Sequence, residues 1–101
     1  MVGMKNYMID IELPEIVGEE FFQLIPDQRA YVNRMMREGI IKNYSLSIDR
    51  KKLWVVINAI SLAEARHIIA RFPIFYFIKY TIHDLLIHDS SDATIPQLWL
   101  N

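Results

Sequence analysis

Three side chains in this sequence could take up a proton and give it back: Glu38, His83 and Asp10. A carboxylate or imidazole in a dry site does this work when the reacting carbon lies within hydrogen-bond reach. Glu38 comes first, because it falls in the last turn of an expected helix, where an anion opposes the dipole. The commoner use of such a residue is an ion pair, here with Arg34 or Arg37. His83 comes second because imidazole as a class titrates near neutrality; its plainer role is a solvated strand-end histidine. Asp10 is third, either as an acid–base group or as half of an ion pair with Lys79 on an inner face. Lys79 could instead bind a substrate carboxylate.

Other chemistries find no support. His67, His83 and His88 have neither i,i+4 nor His-x-His spacing, so no metal site is expected. His67 falls on the outward side of a helix and reads as inert. The chain has no cysteine, which excludes disulfides and thiol chemistry and fits a reducing cytoplasm. It carries no glycine-rich phosphate loop and no serine-nucleophile motif.

The elements that must position these residues follow the order βαββαβ between Lys5 and His88. Tyr7, Ile9, Ile11 and Leu13 alternate with Met8, Asp10 and Glu12, the period of a half-buried strand, and Pro14 ends it. Gly18, Glu19 and Glu20 open a helix carrying Phe21, Ile25, Val32 and Met35 at helical spacing. Pro26 should kink that helix or start a second segment, and Gly39 closes it. A strand over residues 40–48 turns Ile40, Tyr44, Leu46 and Ile48 one way, with Lys42 the exception. The polar run 49–52 makes a hairpin to a strand with Leu53, Val55, Ile57 and Ala59 facing the core. Ser61 and Glu64 form a capping box before a second helix, which Pro73 stops. A fourth strand is expected over residues 76–82, reaching as far as 87. The repeated half is the signature of an α+β, ferredoxin-like fold with a four-stranded antiparallel sheet.

Two helices cover only one face of such a sheet. The other face would carry Met8, Asp10, Glu12, Asn43, Ser45, Ser47, Trp54, Val56, Asn58, Phe77, Lys79, Thr81 and His83. Aromatic walls with a few converging polar groups are the make-up of a small-molecule pocket; the alternative is a plain wet face. The expected ligand contacts are Trp54, Asn58, Phe77 and Lys79, with Tyr44 from the second strand.

The bulk numbers narrow the partners. A chain of 101 residues is one domain. A net charge of −1 without a Lys/Arg stripe argues against nucleic acid. The apolar stretches are too short to span a bilayer, and the first residues lack the core of a signal peptide. A mean hydropathy of +0.14 suggests more burial than one subunit provides, hence a homodimer or larger homo-oligomer. Residues 1–91 form the domain. Residues 92–101 are an apolar tail around Trp99, laid on a neighbour at a subunit contact or folded back on its own subunit.

With these pieces in order, the chain resembles the muconolactone isomerases, and more broadly the dimeric α/β-barrel proteins. The resemblance rests on Leu13-Pro14 and on Arg37-Glu38-Gly39. It continues through Ser61 with Glu64, Phe72-Pro73-Ile74-Phe75, and His88 with Ser90-Ser91. It implies two sheets packed face to face, with proton transfer on an unsaturated lactone and neither metal nor organic cofactor. The first strand departs from that pattern, holding Asn6, Asp10 and Glu12 where the family has basic and imidazole groups. That departure points to a different substrate or to lost activity. Fold analogy adds a cofactor-independent monooxygenase as a second enzyme reading, and a non-catalytic binding or assembly module as a third.

Overall fold

Tyr7, Ile9 and Ile11 turn fully inward from β1 (Lys5–Glu12), as their alternation with Asn6, Met8 and Asp10 requires. The structure, a computed structural model, describes residues 3–89. The apolar tail and the domain boundary after residue 91 lie outside the described residues. The remaining elements are α1 (Glu19–Arg37), β2 (Ile41–Leu46), β3 (Lys52–Ala59), α2 (Leu62–Ala70) and β4 (Lys79–Leu85). The strands form one antiparallel sheet in the order β2-β3-β1-β4. This is the expected α+β, ferredoxin-like βαββαβ arrangement.

Both helices pack on one face. Phe21, Val32 and Met35 of α1 and Ala65 and Ile69 of α2 join Tyr7, Ile9, Ile11, Leu53, Val55 and Ile57 in a single core. Each such aliphatic side chain taken out of water stabilises the fold by roughly 1.5–3 kcal/mol before entropy is counted. Tyr31 ties the helices together, its hydroxyl donating to the Ile68 carbonyl at 2.9 Å. Burial pushes the Tyr31 phenol above its ordinary pKa, so it stays a neutral donor.

The helix ends follow local chemistry. Ser61 accepts from the Glu64 amide at 3.1 Å, and Glu64 reaches back to the Ile60 amide at 2.8 Å. Gly39 takes φ 76, and the amides of Gly39 and Ile40 return to the carbonyls of Met36 and Met35. This pair of bonds satisfies carbonyls that the end of α1 would otherwise leave bare.

Three expectations need correction. First, α1 runs unbroken past Pro26, which therefore opens no second segment. Second, β2 is shorter and shifted. A bulge between Ile41 and Asn43 leaves Lys42 as the extra residue, so Ile41 rather than Ile40 fills the inward position at the strand's start. Ile48 belongs to the hairpin turn and is fully exposed. Third, Phe75–Phe77 is a 3-10 turn and β4 begins only at Lys79. Phe77 is consequently not on the open face. It packs edge to face on Phe21, ring centroids 5.6 Å apart, within the helix layer. A short apolar run has no period of its own, and the packing beneath α1 decided its shape.

Candidate functional site on the open sheet face

Strand register arranges the uncovered face in rows. Asn43, Val56, Met8 and His83 form one row across β2, β3, β1 and β4, and Ser45, Trp54, Asp10 and Thr81 form the next. Beyond them Glu12 stands between Lys52 and Lys79. Asn58 flanks the first row at the other end, opposite Asn6. Pleating alone puts these side chains on one side, because residues two apart share a face.

The chain itself crosses part of this face. After β4, His88 lies against the opposite edge strand, its Nε2 2.9 Å from Asn43 Oδ1. His88 and Asp89 then border a hollow of about 190 Å³ with Met8, Trp54 and Val56 as walls and Asn43 and Ser45 at its edge. Val56 is 2% exposed although it faces away from both helices. Trp54 keeps 37% of its surface in water and forms the accessible wall.

The candidate proton-transfer groups are separated. Asp10 is paired with Lys52, not with Lys79, although both lysines lie opposite Glu12 in register. Both members of the Asp10–Lys52 pair remain about one-third exposed, so the contact is worth about 1 kcal/mol or less. His83 is exposed on the open face, one row from Asp10. Glu38 caps the C-terminus of α1, exposed, in the helix layer. Neither Arg34 nor Arg37 is in an ion pair with it among the described residues. The open face therefore holds Asp10 and His83 but not Glu38.

Among the expected ligand contacts, Trp54, Asn58 and Lys79 share the open face, while Phe77 and Tyr44 do not. Tyr44 turns toward α1, where its hydroxyl accepts from Gln28 Nε2 at 3.4 Å. Burial raises its phenol above the ordinary range, against smaller opposing effects of Gln28 and Arg29. Gln28, 3% exposed, also accepts from the Ile74 amide. Sequence reasoning missed Gln28, although the signal was present: Phe21, Gln28 and Met35 repeat every seven residues along the buried stripe. For His88 the sequence offers only its place in the family resemblance, and its bond to Asn43, 45 positions away, can be matched only in three dimensions.

Among the described residues, no three His, Asp or Glu side chains converge as metal ligands would, and no helix is long and apolar enough to cross a membrane. Comparison with known protein families finds no match for this chain, and comparison with curated proteins finds none either.

Proposed function

We propose that this chain is a non-catalytic module that binds a small, partly apolar molecule on the open face of its sheet. The observation that carries this reading is the hollow walled by Trp54, Met8 and Val56 and edged by Asn43 and His88. An aromatic wall supplies contact area, and the Asn43 amide and His88 ring supply orientation. The acid–base residues do not form a working set around it: Glu38 is in the other layer, and Asp10 is engaged by Lys52. A second copy packed sheet to sheet would enclose the hollow and cover the exposed ring of Trp54, so the module acts as a homodimer.

A second reading is lactone isomerisation with His83 as the base. The observation favouring it is that His83 and Asp10 share the open face in adjacent rows.

One experiment separates the two. Muconolactone is titrated into the protein, with emission read in a Trp99→Phe background that leaves Trp54 as the single tryptophan. The same mixture is followed by proton NMR. Saturable quenching without a double-bond shift supports the binding module. Isomerisation that is lost in His83→Ala establishes the enzyme. No quenching removes lactones from the ligand class. Sedimentation at micromolar concentration should give a dimer, and a stable monomer rejects the enclosed face.

A further inference from the structure

A second, larger apolar opening lies on the opposite side from that face. It is a cleft of about 600 Å³ between the first half of α1 and the β2–β3 hairpin. Phe21, Leu53 and Ile74 form its buried floor. At its rim Phe22 is 59% and Leu46 54% exposed, although Leu46 is an inward-facing strand residue. The helix layer covers β2 at Ile41 and Tyr44 but leaves its hairpin end, at Leu46, open. A cleft of this size suits a small organic molecule better than one or two waters.

The polar groups in it have one sign. Its only charged lining residues are Arg29 and Arg50, and neither is in an ion pair among the described residues. Tyr44 adds a hydroxyl that accepts from Gln28, so its own proton has no acceptor among the described residues. Donors and positive charge above an apolar floor complement an anionic head on an apolar body. Arg50 adds an independent observation. It holds φ 63, a left-handed conformation that glycine adopts more cheaply, yet the position carries a guanidinium.

We propose that this cleft binds a small-molecule carboxylate with an apolar body, its chain on Phe21, Leu53 and Ile74 and its carboxylate between Arg29 and Arg50. The site is separate from the open-face hollow and does not depend on the function assigned there.

The test uses the full-length protein, labelled with nitrogen-15 and titrated with decanoate below its micellar concentration. Amide shifts should be saturable and confined to the first half of α1 and the β2–β3 turn, leaving Met8 and Asn58 on the open face unmoved. Decanol, with the same chain and no charge, should bind at least ~10-fold more weakly, as should decanoate to Arg29→Gln or Arg50→Asn. Asn tolerates the left-handed backbone at residue 50, so that variant keeps its turn. Equal affinity for decanol and decanoate in the wild type overturns the anion site without recourse to any variant. Undiminished decanoate affinity in both arginine variants overturns it as well. Absence of saturable shifts, or shifts confined to the open face, overturns the cleft as a site.

Discussion

His88 and Asn43 are joined by a 2.9 Å hydrogen bond that links the chain leaving edge strand β4 to edge strand β2. The segment between them therefore spans the sheet, and the hollow beside Trp54 exists because of that span. Replacing His88 by Ala removes the pin. In the Trp99→Phe background, Trp54 emission should shift to longer wavelength as water enters. Stability should fall by about 0.5–1.5 kcal/mol, the net worth of one hydrogen bond. Unchanged emission and an unchanged denaturation midpoint would show that the span holds without His88.

Arg50 links the turn to the cleft. Its φ of 63 costs an L-residue roughly 1 kcal/mol, and the extra freedom of the unfolded glycine offsets about 0.4–1 kcal/mol of that, so Arg50→Gly should leave stability unchanged or raise it by up to about 0.6 kcal/mol. The same variant should bind decanoate more weakly. Urea denaturation and the amide titration together test both statements, and a destabilised Arg50→Gly would reject the strain argument.

Asp49 makes the hairpin turn acid-sensitive. The Ser47 hydroxyl at 2.7 Å and the Lys51 amide at 3.0 Å both donate to its carboxylate. Those bonds, the Ser47 bond foremost, hold its pKa below the ordinary 3.8. A depressed folded pKa means the stabilisation is present above 3.8 and is lost as pH falls through the folded value. A carboxyl-carbon NMR titration should place Asp49 below 3.8, and Asp49→Asn should flatten the stability profile in that acid range. A titration at or above 3.8 contradicts the bonded turn.

Glu38→Gln tests the one proton-transfer candidate that lies off the open face. Glu38 is an exposed anion at the C-terminus of α1, so its neutralisation should raise stability by about 0.3–1 kcal/mol. Ligand response at Trp54 should be unaffected. A loss of lactone turnover of ~100-fold or more would instead identify Glu38 as the general base.

Local rules in the sequence determined the elements and the faces. Period-two alternation placed Met8, Asp10, Trp54, Asn58 and His83 on the uncovered side, and the Ser61–Glu64 box and Gly39 fixed two helix ends. These features depend on neighbours within a few residues, so they can be read along the chain. The tertiary structure decided what depends on strand order and packing. Register set Lys52 and Lys79 on either side of Glu12, and side-chain placement on the folded sheet gave Asp10 to Lys52 rather than to Lys79. Packing against Phe21 drew Phe77 out of the strand, and the β2 bulge put Ile41 in the place expected for Ile40. The crossing of His88 to Asn43 and the cleft between Arg29 and Arg50 belong to the same class. Each joins residues far apart in sequence, and no local periodicity encodes the distance between them once the layers have packed.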